Sequence, residues 1–306
     1  MEKVNTVTTF STLAGFGALS LWALSALCAC ELEDIPTFQI SGIVFTIAFL
    51  FHAVRLTRLD RWDSVMAQPR HVWLTGFAAV FVDQAAYVYS IKVIPPEQAE
   101  VIYYLWPILT LVFASVFFEE KRSFVPVISA FLGLAGIYIL FTDGKGLGNI
   151  NTENLYGYLF AFLAALSWVV YSLYARYMSD IPIEMNGMWC GLAALCSYIL
   201  HLLLEPTVVP TLYQMGILLF MGLGILSLSL FLWSHGMKQG NFNLLNVLSY
   251  LTPLFSVLIL ILIGKTHFRT SLIVACQLII LGGMLCYLID WAKKKFFPLE
   301  DEQPSE

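Results

Sequence analysis

Long apolar stretches separated by short polar breaks run through almost the whole of this 306-residue chain. Ten such stretches, each of 18 to 23 residues, lie at 10–30, 37–54, 72–91, 97–118, 124–142, 155–175, 186–204, 212–234, 243–264 and 270–291. A helix needs about 20 apolar residues to cross the ~30 Å hydrocarbon core of a bilayer. The pattern therefore predicts an all-α integral membrane protein with ten transmembrane helices, and it leaves little chain for a soluble domain.

The composition excludes a water-soluble globular protein. Hydrophobic residues make up 59% of the chain and charged residues 12%, with a mean hydropathy of +0.78, whereas soluble domains carry about 25% charged residues. The six cysteines lie within or at the ends of apolar stretches and form no C-x-x-C pair, and the histidines have no companions at ligand spacing. We expect no metal, no cofactor and no nucleic-acid partner.

The distribution of basic residues predicts the orientation in the membrane. With the N-terminus inside, the cytoplasmic segments hold twelve basic residues: Lys3, Arg55, Arg58, Arg61, Arg70, Lys121, Arg122, Arg176, Lys238, Lys293, Lys294 and Lys295. The external segments hold four, namely Lys92, Lys145, Lys265 and Arg269. By the positive-inside rule, both termini are expected in the cytoplasm of a multi-pass cell-membrane protein, in the inner membrane if the source is Gram-negative. The first stretch lacks a small-residue cleavage site, so it is expected to be retained.

The two halves of the chain repeat each other at a fixed offset of 146 residues. The matched pairs are Trp22 and Trp168, Lys92 and Lys238, Tyr104 and Tyr250, Pro107 and Pro253, and Gly136 and Gly282. Each half holds five stretches, and because five is odd the second half must enter the membrane from the opposite side. Such inverted repeats surround a central cavity, place the substrate near the midplane and allow alternating access.

The repeat also divides the chain into segments. We predict a cytoplasmic tail at 1–9, a first repeat of five helices at 10–142, an external linker at 143–154, a second repeat at 155–292 and a cytoplasmic tail at 293–306.

A proline interrupts the middle of one stretch in each half. Pro107 follows Tyr103-Tyr104-Leu105-Trp106, and Pro253 follows Tyr250-Leu251-Thr252. Proline has no backbone N–H to donate to the carbonyl four residues earlier in a helix, and its ring clashes with that carbonyl. In hydrocarbon, freed backbone groups are tolerated where protein or a water-filled cavity satisfies them. The two prolines therefore predict kinked helices that face the substrate.

Helical spacing groups the candidate site residues on faces that would converge at the centre. The candidate substrate-binding residues are Trp22, Asp83, Tyr87, Tyr104, Trp106, Trp168, Trp233, Asn246 and Tyr250. Asp83 lies deep in the third stretch, where an ionisable group is costly and usually functional. It would bind the substrate ammonium or carry an exchanged proton; a packing role beside Gln84 is the alternative. The aromatic residues would line the cavity and stack on planar ligands, or serve as core packing.

Several motifs resemble those of a known family. The segments Tyr104-Leu105-Trp106-Pro107, LFAFLAALSWVVY at 159–171, Gln239-Gly240-Asn241, Ser249 to Pro253 and GGMLCY at 282–287 are similar to the EamA type of the drug/metabolite transporter superfamily, and most of all to its aromatic amino-acid exporter subgroup. The resemblance implies a ten-helix basket with a central cavity that exports aromatic amino acids and related amphiphilic metabolites from the cytoplasm.

The sequence leaves alternatives to this function open. A secondary transporter of another metabolite, such as S-adenosylmethionine, a nucleotide-like compound or a non-aromatic amino acid, fits the same pattern. A membrane enzyme acting on lipid-linked substrates would need clustered acid, base or metal-ligating residues at a membrane surface, and none is evident, so we expect no enzymatic activity. The expected partners are a small-molecule substrate, membrane lipids and, if export is coupled, protons. We expect the protein to function as a monomer.

Overall fold

Within the residues that the structure describes, fifteen α-helices and one π-helical segment make up most of the fold. The computed structural model describes residues 2–117, 124–146, 148, 154–178, 180–265 and 267–296. The helices are α1 (Glu2–Trp22), α2 (Ser25–Cys30), α3 (Thr37–Leu59), α4 (Trp62–Met66), α5 (Arg70–Val93), α6 (Pro96–Tyr103), α7 (Trp106–Phe117), α8 (Phe124–Thr142), α9 (Leu155–Tyr177), α10 (Met185–Leu204), α11 (Leu212–Phe220), α12 (Ser229–Gln239), α13 (Phe242–Leu248), α14 (Leu251–Leu262) and α15 (Thr270–Phe296), with the π-helix at Met221–Leu228 between α11 and α12. No β-strand occurs within the described ranges, so the all-helical prediction is confirmed.

The described residues contain nine helical stretches that are long and apolar enough to cross a membrane. These correspond to the first nine predicted spans. The tenth corresponds to α15, whose apolar part, Thr270–Leu285, is shorter. Three predicted segments lie partly outside the described residues: the loop at 118–123 with Lys121 and Arg122, the linker at 147 and 149–153, and the tail from residue 297.

Two of the spans are broken near their middle. The fourth span consists of α6 and α7, separated by a turn at Tyr104 and Leu105, and the ninth consists of α13 and α14, separated by a turn at Ser249 and Tyr250. Each break lies just before a proline that has no N–H to continue the helical ladder of the preceding segment. The breaks bring irregular backbone to the centre of the bundle.

The helices of one half pack mainly against helices of the other half. The most extensive contacts join α1 to α12, α5 to α9, α3 to α10 and α8 to α15. In each of these pairs one helix comes from the first repeat and the other from the second. The two repeats are therefore interlocked through the bundle.

Close backbone contacts between α8 and α15 follow the offset of 146 residues. A Cβ atom added at Gly136 would lie 3.0 Å from the carbonyl oxygen of Ala275, and one added at Gly282 would lie 2.6 Å from the carbonyl oxygen of Ser129. Gly282 and Ala275 are the repeat mates of Gly136 and Ser129. The same contact is thus made twice, as two-fold pseudosymmetry requires, and small residues allow the close approach.

Charged groups join α3 and α10 at both ends. The Glu205 carboxylate, at the end of α10, accepts a hydrogen bond of 3.0 Å from the backbone N–H of Phe38 in the first turn of α3. At the other end of the pair, Glu184 lies 3.5 Å from both Arg55 and Arg61. A carboxylate at a helix N-terminus is stabilising because the free N–H groups there carry partial positive charge.

A further ion pair marks the face of the bundle that contains Glu205. The Lys265 ammonium lies 3.1 Å from the carboxylate of Glu31, which also accepts a hydrogen bond of 3.3 Å from the Tyr213 hydroxyl. The hydrogen bond to Glu31 raises the pKa of Lys265 above its ordinary value. These contacts are exposed, so their contribution to stability is small.

Candidate functional site

Four tryptophans contact one another in a closed ring, which we call the tryptophan cluster: Trp22, Trp106, Trp168 and Trp233. The Trp22 ring centroid lies 5.2 Å from that of Trp168 and 5.4 Å from that of Trp233. The Trp106 ring centroid lies 6.1 Å from Trp168 and 5.8 Å from Trp233. These are separations at which aromatic rings attract each other.

The two halves contribute equally to the tryptophan cluster. Trp22 ends α1 and Trp106 begins α7, whereas Trp168 and Trp233 lie in α9 and α12. Every ring contact in the cluster joins a tryptophan of the first half to one of the second. A displacement of one half against the other therefore has to separate or slide these rings.

Two neighbouring groups hold the tryptophan cluster in place. The Trp233 side chain is fully buried, and its indole N–H donates to the Ser172 hydroxyl at 3.4 Å. The Trp168 ring stacks on Tyr171 with a centroid distance of 5.0 Å and an interplanar angle of 29°. The four indoles lie at the interface between the halves, where the sequence analysis predicts the substrate site.

Tyr104 and Tyr250 meet at the two helix breaks. Their ring centroids are 6.3 Å apart. Tyr250 is fully buried and packs against Gly133 of α8, where a Cβ atom would collide with its ring. The repeat mates thus face each other across the interface between the halves.

An acidic group from the first half lies beside these tyrosines. The Tyr87 hydroxyl donates a hydrogen bond to the Glu100 carboxylate, and Tyr103 is a hydrogen-bond partner of Asp83. The rings of Tyr87 and Tyr103 are 5.0 Å apart, and the Tyr103 ring is 5.9 Å from Tyr104. One carboxylate oxygen of Asp83 is buried and has no hydrogen-bond partner among the described residues.

The second half has neutral residues at the matching positions. Ser229 replaces Asp83 and bonds the carbonyl oxygen of Ile225 in its own helix. Asn246 replaces Glu100; its amide donates to the carbonyl oxygen of Phe242 at 2.8 Å, and its side-chain oxygen is buried without a partner in the described structure. The carboxyl groups of the site therefore come from one half only.

The structure brings most of the sequence-predicted site residues into two connected groups of side chains. The tryptophan cluster joins four of them, the facing tyrosines two, and Asp83 and Tyr87 connect to Tyr104 through Tyr103. The amide of Asn246 is hydrogen-bonded within its own helix. Sequence analysis missed Tyr103 as the link, and its position beside Tyr104 in the broken span was the available signal.

The chemistry of this group suits an aromatic ligand that carries positive charge. Indole and phenol rings accept planar groups by stacking and cations on their faces, and carboxylates pair with ammonium groups. Among the described residues, no group of three His, Cys, Asp or Glu side chains is arranged to hold a metal ion.

Comparison with known proteins gives a consistent result. The EamA-like transporter family matches the chain twice, at residues 9–142 and 155–288. An aromatic amino acid exporter YddG of Ancylobacter novellus is 32% identical over 279 residues, which cover 91% of this chain and 97% of that protein. Its namesake from Salmonella typhimurium is 27% identical over 60% of this chain and 64% of its own length. A solved crystal structure with 32% identity superposes with a TM-score of 0.84 over 91% of this chain and 98% of its own.

Proposed function

The chain belongs to the EamA-like transporter family, and from that premise we propose that it is a secondary transporter that exports aromatic amino acids, or closely related amphiphilic metabolites, from the cytoplasm by alternating access. The name of the relative from Ancylobacter novellus, an aromatic amino acid exporter, supports aromatic amino acids as the substrates. We further propose that it functions as a monomer, without enzymatic activity, in the cell membrane with both termini in the cytoplasm.

The observation that carries this proposal is the tryptophan cluster shared between the halves. Four indoles that contact one another across the repeat interface offer an aromatic surface at the position where inverted-repeat transporters bind substrate. An aromatic side chain that replaces one indole contact with its own ring keeps the stacking energy of about 0.5–1.5 kcal/mol per pair. Substrate binding would therefore separate the halves without a net loss of aromatic stacking energy.

The broken helices supply the movement in this mechanism. The turns at Tyr104 and Tyr250 divide the fourth and ninth spans into segments that can tilt separately, because the prolines behind them have already removed one backbone hydrogen bond. Tilting of the segments in one half would open the cluster towards the cytoplasm, and tilting in the other would open it outwards.

Asp83 would act on the charged part of the substrate or of the coupling ion. Its unpartnered carboxylate oxygen is available to a substrate ammonium, and in that role Asp83 sets affinity. Alternatively it exchanges a proton between the two access states, and in that role it sets the driving force. The two roles predict different effects of the Asp83→Asn change on transport and on its response to pH.

S-adenosylmethionine is the second candidate substrate. Its adenine ring suits the tryptophan cluster, and its sulfonium cation suits aromatic ring faces and the acidic side chains of Asp83 and Glu100, which contact Tyr103 and Tyr87. A nucleotide suits the site less well because its phosphates would face the same two acids. A non-aromatic amino acid has no ring that could stack on the four indoles.

Uptake into inside-out vesicles tests these candidates directly. The export direction of the cell becomes uptake in such vesicles, so radiolabelled tryptophan, phenylalanine, tyrosine, leucine and S-adenosylmethionine can be compared at equal concentration. We expect the three aromatic amino acids to accumulate faster than leucine and faster than in vesicles without the protein. Equal rates for leucine and tryptophan would contradict the proposed specificity.

A further inference from the structure

The N-terminus of α7 lies at the break of the fourth span, beside the tryptophan cluster. The helix begins at Trp106, whose indole belongs to the cluster, and runs for 12 residues to Phe117. The first N–H groups of a helix have no acceptor within that helix, and they give its N-terminus a partial positive charge. In transporters with broken helices, such an end can face the anionic group of a substrate. A negative charge beside the start of α7 would therefore be stabilised.

One N–H group in the first turn of α7 lacks a backbone acceptor. Pro107 has no N–H, and within the described residues the N–H of Ile108 makes no hydrogen bond to the carbonyl oxygen of Tyr104, four residues earlier. The regular helical pattern resumes with Leu109, whose N–H donates to the carbonyl oxygen of Leu105 at 3.0 Å. Ile108 is buried, so its unpaired N–H group is costly unless an acceptor comes from outside the helix.

The hydroxyl of Tyr250, from the second half, is aimed at this end of α7. Tyr250 is fully buried, and its phenol oxygen lies beside the backbone N–H of Ile108. The contact lacks the geometry of a hydrogen bond, and the hydroxyl has no other partner among the described residues. An unpaired N–H of one half and an unpaired O–H of the other therefore lie together at the interface between the halves.

A glycine allows the Tyr250 ring to lie in this place. A Cβ atom added at Gly133 would collide with the ring. The repeat mate of Gly133 is Ile279, and that of Tyr250 is Tyr104, whose hydroxyl has Glu100 and Tyr250 as its neighbours. The pseudosymmetry of the fold therefore does not account for a tyrosine hydroxyl at the start of α7.

Partners for the other two groups of an aromatic amino acid lie close to this helix end. Trp106 offers an indole from the first residue of α7. The Tyr250 ring lies 6.3 Å from that of Tyr104, which lies 5.9 Å from that of Tyr103. Tyr103 in turn is a hydrogen-bond partner of Asp83, which has one unpartnered carboxylate oxygen. A surface for a ring, donors for an anion and an acid for a cation therefore occur along one row of side chains.

We propose that the N-terminus of α7 and the Tyr250 hydroxyl together bind the α-carboxylate of the transported amino acid. One carboxylate oxygen accepts the Ile108 N–H and the other accepts the Tyr250 O–H, while the ring stacks on Trp106 and the ammonium faces Asp83. Because Ile108 and Tyr250 belong to different halves, a movement that separates the halves makes room for the carboxylate between the two donors. The inference rests on the proposed function and adds the groups that recognise the carboxylate.

Competition experiments with the wild-type protein in proteoliposomes test whether the carboxylate is recognised. Phenylalanine transport is measured with tryptophan or with tryptophanamide as competitor, at about pH 6, where the α-amino groups of both are charged. The amide keeps the ring and the ammonium but has no negative charge. We expect the inhibition constant of tryptophan to be at least about tenfold lower, the ratio expected for one hydrogen bond to a charged group.

The Tyr250→Phe change tests which groups recognise the carboxylate. It removes the hydroxyl and keeps the ring, and the ratio of the two inhibition constants should fall several-fold through weaker inhibition by tryptophan. The repeat mate gives a matched control, because Tyr104→Phe removes a hydroxyl beside Glu100 and should change both constants by the same factor. Tyr198→Phe removes a hydroxyl that contacts Thr46 between α3 and α10 and should leave both constants unchanged.

The outcomes separate this inference from the proposed function. Equal inhibition of the wild type by tryptophan and tryptophanamide would reject the carboxylate site, even if Tyr250→Phe did not fold. An unchanged ratio in folded Tyr250→Phe protein would reject it as well, since a hydroxyl with a packing role affects both competitors alike. Absence of any aromatic transport by the wild type would instead reject the proposed function, and this inference with it.

Discussion

Tyr104 and Tyr250 face each other with ring centroids 6.3 Å apart and an interplanar angle of 37°, although 146 positions separate them in the chain. Each lies in the turn that breaks its span. Two repeat mates can contact each other only near the axis that relates the repeats. The contact therefore locates that axis beside the tryptophan cluster, where Trp22 and Trp168 form a second such pair.

Removing an indole from the cluster should weaken binding of aromatic substrates. Trp106→Ala and Trp168→Ala each remove an indole that would stack on the substrate ring, a contact worth about 0.5–1.5 kcal/mol. We expect the apparent affinity for tryptophan to fall roughly 2- to 12-fold, measured by concentration-dependent transport in proteoliposomes. The matched control is Trp62→Ala, which removes an indole bonded to Thr57 at the surface. Wild-type affinity in both cluster variants, with normal folding, would show that substrate binds elsewhere.

Replacing the prolines behind the helix breaks should slow turnover without unfolding the protein. Pro107→Ala and Pro253→Ala supply a backbone N–H that can extend α6 into α7 and α13 into α14. We expect kcat to fall several-fold at unchanged or higher Tm, because a continuous helix is stable but does not tilt in segments. Pro126→Ala, in the first turn of α8, is the control. Unchanged kcat in both variants would mean that the breaks do not participate in transport.

The role of Asp83 can be decided by measuring protons and substrate together. If Asp83 exchanges a proton, Asp83→Asn should abolish uphill transport and its response to a pH gradient while exchange of substrate continues. If Asp83 binds only the substrate ammonium, the same change should raise KM and leave the pH response intact. Proton movement during tryptophan efflux from proteoliposomes distinguishes the two, with Asp143→Asn in an exposed turn as the control. Efflux by the wild type without linked proton movement would exclude coupling.

The two glycine contacts between α8 and α15 should both contribute to stability, and the contact of Gly282 should contribute more than that of Gly136. Gly282→Ala places a methyl group 2.6 Å from a backbone oxygen and Gly136→Ala places one 3.0 Å from another, so the helices must separate. We expect both to lower the Tm in detergent, Gly282→Ala by more. Gly216 lies in α11, and a Cβ atom added there would have no atom within 4 Å. Gly216→Ala should therefore leave Tm unchanged or raise it slightly, since alanine is more favourable than glycine in a helix by about 1 kcal/mol. The reverse order would contradict the packing described.

The sequence predicts the helices well because the bilayer imposes a minimum apolar length. The internal repeat also accounts for the contacts of Trp22 with Trp168 and of Tyr104 with Tyr250, because repeat mates that lie near the pseudosymmetry axis are close to each other. Hydropathy cannot predict the π-helix at Met221–Leu228, since the same apolar residues satisfy either hydrogen-bond ladder. It also cannot show which helices pair, because a lipid-embedded helix is apolar on most of its faces.

The hydrogen-bonded group of Tyr171, Asn186 and Ser234 escaped sequence analysis for a different reason. Its three residues come from three helices, so their spacing along the chain does not show that they meet. The link from Asp83 to Tyr103 depends on the turn that follows α6. Such contacts depend on how helices are placed in space, which a linear pattern does not record.

The interlocked pairing of helices has a consequence for how the chain is made. A ribosome releases α1, α3, α5 and α8 into the membrane before α12, α10, α9 and α15, their main partners, have been synthesised. For most of translation, the newly inserted helices therefore expose to lipid the faces they will later bury. The first repeat cannot mature alone and wait for the second. The tertiary structure therefore has to form late. The five spans of the second repeat have to insert between the five spans of the first repeat after all of them are in the bilayer.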